Sequence, residues 1–205
     1  MLESIPQTSA LDEETARAEV YGLLARLYYA PPDAELLSKL RTAVTEAPAA
    51  GAFLEEPWRA FIGAARDMQD GEIDREFESL FGGVGKPDVL PYASSHLSGF
   101  LNERPLAQLR DDLQALGLTR DEAMAETEDH VAYLFEVMRF LIAGDDVAVS
   151  NLTRQREFYA RHLQPWIATL CDEIAPHPRA RFYAALAAFT QAFASVEQQG
   201  FDLLD

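Results

Sequence analysis

The chain has 205 residues, of which 48% are hydrophobic, so it is long enough to enclose one large core and is not disordered in bulk. Its 34 Asp and Glu residues outnumber its 17 Lys and Arg residues and give a net charge of −17, which argues against nucleic acid as a partner because phosphate binding needs a basic surface. The single cysteine, Cys171, excludes an internal disulfide and fits a reducing compartment.

Targeting signals are not evident in the sequence. Residues 1–6 have neither a basic start nor an apolar run, so they are not predicted to be a secretory signal. The longest uncharged stretch, 182–196, is interrupted by Thr190, Gln191 and Ser195, which makes it too polar for a membrane span. We therefore expect a soluble, cytoplasmic protein with no membrane span.

Helical periodicity runs through the first part of the chain, and no segment alternates as a strand does. Four helices are predicted before residue 82, with apolar faces formed by Val20, Leu23, Leu24, Leu27 and Tyr28; by Leu36, Leu37, Leu40 and Val44; by Trp58, Phe61, Ile62 and Ala65; and by Ile73, Phe77, Leu80 and Phe81. Ser9 and Asp12 are possible caps of the first helix, which Pro31-Pro32 ends. Asp33 is placed to cap the second.

The second part of the chain begins with a predicted loop at 82–87, where Gly and Pro break the helical pattern. Six further helices are predicted at about 95–101, 106–116, 131–142, 148–164, 165–174 and from Pro178 onward. The last has no charge between Arg181 and Glu197, so we expect it at the centre of the core. The sequence predicts an all-α, bundle-like single domain, 1–205, of nine or ten helices, with one plausible hinge at 119–128.

Motifs of known enzyme and cofactor sites are poorly matched. The glycine-rich stretch at 82–86 lacks the phosphate-loop pattern, because Leu80 stands where the first glycine is needed and Pro87 where Ser or Thr is needed. The histidines form no zinc-binding spacing, so no metal and no cofactor are predicted. One rival interpretation stays open: Glu126, Asp129 and His130 lie close enough in sequence to serve a small metal-dependent hydrolase.

Acidic residues are concentrated in two segments. One contains Asp67, Asp70, Glu72, Asp74, Glu76 and Glu78, with only Arg75 among them. The other, 121–146, contains eight acids and one base, a net −7 of the total −17. Thr127 could cap a helix and place Glu128 and Asp129 in its first turn, where the helix dipole favours acids. Charge runs are usually solvated faces, but two acidic patches beside an apolar groove would also suit a peptide with a basic start and an apolar middle.

Several motifs resemble those of the TorD/DmsD/NarJ family. Residues 77–81 (Phe-Glu-Ser-Leu-Phe) and 90–94 (Leu-Pro-Tyr-Ala-Ser) resemble the family's aromatic-x-x-Leu-Phe helix end and its Pro-Pro-Tyr-x-Ser loop. Residues 126–130 (Glu-Thr-Glu-Asp-His) resemble its Glu-Pro-x-Asp-His signature, and the spacing of Gln155, Phe158, His162, Leu163 and Trp166 resembles a later pattern. The likeness extends over about 20–195. Leu90, Thr127 and His96 depart from the residues most common in the family.

The resemblance implies an all-helical cytoplasmic chaperone rather than an enzyme. Such a chaperone binds the twin-arginine signal peptide of a molybdoenzyme precursor, its apo form, or both, before cofactor insertion and export. It is a monomer or a domain-swapped dimer hinged near Glu126. Residues 99–106 are most similar to the branch associated with formate dehydrogenase. The alternative within the family is an adaptor that binds only the folded core of its client, as in the nitrate-reductase branch.

The resemblance also implies a peptide-binding site at the two motifs. Its expected residues are Leu90, Pro91, Tyr92, Ser94, Phe100, Glu126, Asp129 and His130. Glu126, Asp129 and His130 would form the polar end. Asp129 would pair with a cation of the peptide, and His130 would orient the peptide or hydrogen-bond its backbone. Leu90, Tyr92 and Phe100 would line the apolar part.

Overall fold

The computed structural model describes residues 7–45, 53–82, 87–121 and 124–203. These residues form ten helices: α1 (Gln7–Tyr29), α2 (Ala34–Thr42), α3 (Glu55–Asp67), α4 (Glu72–Phe81), α5 (Ala93–Ser98), α6 (Arg104–Ala115), α7 (Val131–Ala143), α8 (Leu152–His162), α9 (Ile167–Ile174) and α10 (Phe182–Asp202). The described part contains no strand, only one isolated bridge. The predicted all-α class is confirmed. No helix of the described part is long and apolar enough to cross a membrane.

The core is built around α1, α7 and α10. The long helix α1 packs along α7, and Tyr21 and Tyr28 of α1 lie 5.9 and 6.0 Å from Phe135 between ring centroids. Tyr21 also meets Phe193 of α10 edge-on at 4.9 Å, so one ring joins all three helices. Packing of this kind stabilises a core beyond its buried area alone. The prediction that the last helix lies in the core is confirmed.

A buried carboxylate fixes the start of α10. Glu76, on α4, accepts hydrogen bonds from the backbone N–H groups of Arg181 (2.8 Å), Phe182 (3.2 Å) and Tyr183 (2.7 Å). These N–H groups have no partner within their own helix, and the positive end of the helix dipole favours an acid at this place. Glu76 therefore has a structural role, although the sequence assigned it to an acidic cluster.

A second polar group is enclosed between α1, α8 and α10. Arg17 forms a two-bond ion pair with Glu197, at 2.7 and 2.8 Å, and Tyr21 donates its hydroxyl to the same carboxylate at 2.9 Å. Gln155 accepts a bond from Arg17 at 3.3 Å and donates its amide to the carbonyl of Leu141 at 3.1 Å. A paired and hydrogen-bonded charge of this kind is tolerated in a core. The two hydrogen bonds of Gln155 give this motif residue a structural role.

Local predictions at the helix ends are partly right. Asp33 caps α2 by accepting the N–H of Leu36 at 2.7 Å, as predicted. Val44 was wrongly placed on the apolar face of α2: the helix ends at Thr42, and Val44 is exposed while its carbonyl accepts the indole N–H of Trp58 at 2.8 Å. Ser9 and Asp12 lie inside α1 rather than at its start. The glycine-rich loop and the proposed hinge fall partly outside the described residues, at 83–86 and 122–123.

Candidate functional site

The two motifs singled out in the sequence meet in space. The backbone N–H of Val131 donates to the carbonyl of Pro91 at 2.8 Å, and that of Ala93 donates to the carbonyl of Asp129 at 2.9 Å. These two bonds make the antiparallel bridge between Tyr92 and His130. The loop before α5 is thereby joined, backbone to backbone, to the start of α7. The site is assembled by this bridge.

Asp129 lies beneath the bridge and is 0% exposed. Its Oδ2 accepts the N–H of Ser94 at 2.9 Å and the hydroxyl of Ser94 at 2.5 Å, and its Oδ1 accepts the hydroxyl of Thr127 at 2.7 Å. Hydrogen bonds to a charged group are the stronger ones, so the carboxylate is well satisfied where it is. A peptide cation could reach the enclosed Asp129 only if the bridge opened, and we therefore propose that Asp129 supports the site without contacting the peptide.

His130 caps α7. Its Nδ1 accepts the N–H of Ala132 at 3.2 Å, and the backbone of His130 is extended, as at a helix N-cap. The interpretation of Thr127 as the cap is wrong, because Glu128 and Asp129 form a turn in which the N–H of His130 donates to the carbonyl of Thr127 at 3.0 Å, and α7 begins only after His130. Burial lowers the pKa of His130 from its ordinary value of 6.5 to about 4, although Glu126 and Asp129 oppose that shift. The ring is therefore neutral at pH 7.

Three tyrosines surround the His130 ring, and we call Tyr29, Tyr92 and Tyr133 the tyrosine cluster. Their ring centroids lie 6.4, 5.0 and 5.8 Å from that of His130. Tyr29 and Tyr133 also lie 5.8 Å from each other. Tyr29 ends α1 just before the two prolines, and it is 46% exposed. Tyr92 was predicted as a site residue, whereas Tyr29 and Tyr133 were missed.

Glu126 provides the accessible charge of the site. It is half-buried, and one oxygen of its carboxylate accepts the hydroxyl of Tyr92. Burial, together with this bond and the negative charge, raises the pKa of Tyr92 well above its ordinary value, so the phenol keeps its proton. Among the described residues no Lys, Arg or His forms an ion pair with Glu126, whereas its neighbour Glu128 pairs with Arg110 at 2.9 Å.

The departures from the family motifs have local partners. His96 stacks on Trp166, with ring centroids 5.0 Å apart and ring planes 27° from parallel. It therefore makes the stacking contact that the aromatic residue more frequent at this position in the family would make. Its Nε2 also lies 2.8 Å from the carbonyl of Leu90 and holds that residue beside the buried Pro91. Thr127, in place of the signature proline, binds Asp129.

Phe100 lies apart from the other predicted site residues. It follows α5, which begins directly after Tyr92 and is six residues long, or about 9 Å. Gly99 and Asn102 adopt the left-handed conformation, with φ of 81° and 61°, and turn the chain on either side of it. Phe100 is 72% exposed, and its neighbours Leu97 and Leu101 are exposed as well. We call Leu97, Phe100 and Leu101 the apolar tip.

The rival interpretation as a hydrolase needs a set of metal ligands. Within the described ranges no group of three or more His, Cys, Asp and Glu side chains is arranged to hold a metal ion. Asp129 is enclosed by its hydroxyl and amide donors, and the Nδ1 of His130 is used by the helix cap. What the arrangement offers instead is a partly exposed aromatic and acidic surface joined by α5 to an apolar tip.

Comparisons with known proteins give matches over most of the chain. The profile of the family described as nitrate reductase delta subunit matches residues 39–172, which include both motifs. A chaperone protein TorD from Vibrio cholerae is 24% identical over 204 residues, covering 92% of this chain and 93% of its own. The chaperone protein TorD of Aliivibrio fischeri is 25% identical, with 93% and 96% covered. That of Shewanella loihica is 26% identical, with 95% of both chains covered.

Proposed function

The chain belongs to the nitrate reductase delta subunit family, and from this we propose that it is a redox-enzyme maturation chaperone that binds the twin-arginine signal peptide of a molybdoenzyme precursor. It holds the precursor in its apo form until the cofactor is inserted and the protein is exported. The chain is a binding protein and not an enzyme, as the relatives named as chaperones indicate.

The observation that carries this proposal is the pairing of two different surfaces across one short helix. The tyrosine cluster and Glu126 lie at one end of α5, and the apolar tip lies at the other. A twin-arginine signal peptide has a basic start followed by an apolar segment. An extended peptide of a few residues spans this distance, because each residue adds about 3.3 Å.

The predicted site residues take different parts in this proposal. Pro91, Ser94 and Asp129 hold the loop and the start of α7 together and do not contact the peptide. Glu126, Tyr92 and His130 form the end that receives the basic part of the peptide. Leu90 and Phe100 serve the apolar part, and Phe100 is accessible enough to gain contact area on binding.

The client is proposed by similarity alone. Residues 99–106 are most similar to the formate dehydrogenase branch, so a formate dehydrogenase precursor is the first client to test. Since 119–128 lies between Tyr92 and His130 in sequence, a dimer swapped there would build the site from two copies of the chain, whereas a monomer builds it from one.

Isothermal titration calorimetry tests the proposal. The purified chain is titrated, at low salt, with synthetic twin-arginine signal peptides of the molybdoenzymes encoded in the same genome. We expect one peptide to bind with measurable heat. Absence of heat with every peptide would contradict the proposal. Binding of the leaderless client instead would favour the adaptor that recognises only the core of its client.

A matched pair of variants locates the contact. Phe100→Ser should weaken binding about 5- to 20-fold, because it removes an aromatic side chain that becomes buried by the peptide. Val147→Ser is the control, since Val147 is 81% exposed but lies on the loop after α7. Equal affinity of the Phe100→Ser variant and the wild type would exclude the apolar tip from the site.

A further inference from the structure

We propose that the tyrosine cluster and Glu126 form a recognition site for the guanidinium group of an arginine side chain. The inference rests on the proposed function, since it names the group by which that site selects its peptide. It adds Tyr29 and Tyr133, which neither the motifs nor the sequence pattern indicated.

The first argument is the arrangement of the rings. Tyr29 and Tyr133 lie 5.8 Å apart and are inclined by 37°, so their faces are splayed rather than packed face to face. Tyr29 is 46% exposed, which leaves ring surface open to solvent. A planar cation is attracted to the face of such a ring. A guanidinium also stacks on aromatic rings, which an ammonium does not do.

The second argument is charge. Glu126 uses one oxygen for the hydroxyl of Tyr92, and in the described part of the chain no base forms an ion pair with it. The raised pKa of Tyr92 keeps its hydroxyl protonated, so Tyr92 adds no charge of its own to the site. A guanidinium offers several N–H donors in one plane, and it can contact the carboxylate while it lies on a ring.

The third argument is the state of His130. A protonated imidazole at the centre of the cluster would repel a cation. Here Nδ1 accepts the N–H of Ala132, so a second proton on the ring would break the cap of α7. The low pKa that burial gives His130 agrees with this geometry. The neutral ring of His130 therefore adds no positive charge that would offset the negative charge of Glu126.

The fourth argument is an unpartnered polar atom. The hydroxyl oxygen of Tyr133 is enclosed and makes no hydrogen bond of good geometry within the described residues, although burial and the nearby Tyr29 raise the pKa of Tyr133 to about 12. Such an atom is unfavourable when it is left alone and is commonly a sign of a missing partner. For an arginine beside Tyr29 to bring an N–H donor to this oxygen, the ring of Tyr133 has to turn outward, because the oxygen is closed to solvent in the free chain. A lysine offers donors as well, but from a single atom rather than from the several nitrogens of a planar group.

The experiment uses fluorine NMR on the full chain labelled with 3-fluorotyrosine. The chain has seven tyrosines, so we expect seven fluorine signals. Each signal is assigned by its disappearance in the corresponding Tyr→Phe variant. The probe is the dipeptide Arg-Arg, acetylated and amidated, with Lys-Lys and Gln-Gln in the same form for comparison. We expect Arg-Arg to move the signals of Tyr29, Tyr92 and Tyr133. The buried Tyr21, Tyr28, Tyr159 and Tyr183 serve as internal controls and should stay in place.

Two variants connect the shifts to the site. Glu126→Gln should raise the apparent Kd of Arg-Arg about tenfold, and Tyr29→Ala about 2- to 5-fold. Glu56→Gln removes an exposed acid from α3, which carries no member of the cluster and where Glu56 pairs with Arg59, and it should leave the Kd unchanged. Circular dichroism of each variant checks that the fold is intact.

The outcomes separate this inference from the proposed function. Unmoved Tyr29 and Tyr133 signals, or equal shifts with Lys-Lys, would overturn the guanidinium site even if a signal peptide binds in calorimetry. Shifts that depend on Glu126 would support the site. If no signal peptide then binds, the proposed function fails while the arginine site stands.

Discussion

At the scale of single residues, His130 combines two tasks that need the same protonation state. Its Nδ1 caps α7, and its ring is the centre of the tyrosine cluster. Both require the neutral imidazole, because a protonated Nδ1 cannot accept a bond and a charged ring would repel a basic peptide. The enclosed position of His130 ensures this neutrality at pH 7.

The folded protein should therefore lose stability as the pH falls from about 6.5 towards 4. The pKa of His130 is about 4 when folded against an ordinary 6.5, so the unfolded chain binds the proton first and is favoured by acid. The full effect is about 3 kcal/mol in the free energy of unfolding. Buried His162 contributes in the same direction, because burial lowers its pKa as well.

Urea denaturation at a series of pH values measures this slope. The variant His130→Asn keeps a side chain that can cap the helix but does not titrate. Its stability should fall less than that of the wild type between pH 6.5 and 4.5. Above pH 7.5 the difference between the two proteins should be constant, which serves as the control. Parallel curves over the whole range would contradict the role given to His130.

At the scale of helices, the contact between α4 and α10 shows how one acid can organise a distant element. Glu76 satisfies three N–H groups at the start of α10, the helix that carries much of the core. The bonds join residues more than 100 positions apart in sequence. Formation of α10 in its native place therefore depends on α4.

Replacement of Glu76 by Gln should lower the free energy of unfolding by about 2–3 kcal/mol. The amide keeps the shape but loses the charge, and its N–H₂ group then faces other donors. Glu78→Gln, two residues further along α4 on its opposite, exposed side, is the matched control and should change stability by less than about 0.5 kcal/mol. Thermal or urea unfolding compares them. Equal stability of the two variants would refute the capping role.

Local patterns predicted most of the helices but not the contacts that define the site. The cap at Asp33 and the apolar face of α7 depend on neighbours a few residues away, so they were visible in sequence. The cap at His130 could not be predicted, because it follows from a bridge to Pro91 and Ala93. Tyr29 reaches the cluster from the far end of α1, about 100 positions away, and no periodicity reports such a contact.

The motif residues themselves were found by resemblance rather than by pattern. The structure brings Pro91, Tyr92 and Ser94 together with Glu126, Asp129 and His130, as that resemblance implied. For Asp129 we propose a supporting task instead of contact with the peptide, because its carboxylate is fully buried and already accepts three hydrogen bonds. Burial of this kind cannot be read from the sequence of a polar residue near a predicted helix start.

At the scale of the whole molecule, we expect the net charge of −17 to speed the encounter with the basic peptide of the proposed function. Exposed charges are screened beyond about 8 Å at physiological ionic strength, so the effect should weaken as salt rises. The first acidic cluster contributes through Glu72, Asp74 and Glu78. Its member Glu76 is excluded, since its carboxylate is buried at the start of α10.

Reversal of Glu72, Asp74 and Glu78 to Lys should slow association with the bound signal peptide about 3- to 10-fold at low salt and change the dissociation rate by less than about twofold. Stopped-flow fluorescence with a labelled peptide measures both rates. The control reverses Glu13, Glu14 and Glu19, which are exposed on α1, and so changes the net charge equally. An association rate that ignores salt and both reversals would mean that the acidity serves only solubility.

The bridge between Pro91–Ala93 and Asp129–Val131 has a consequence for how this surface can evolve. Its two bonds join main-chain atoms, so they tolerate exchange of the side chains that project from Tyr92 and His130 far better than side-chain contacts would. On the function proposed above, substitutions at Tyr29, Tyr92, Glu126 and Tyr133 would change which peptide is bound while the main-chain frame beneath persists. The main-chain frame can stay the same while the side chains on its surface change. A change of client therefore does not require a change of fold.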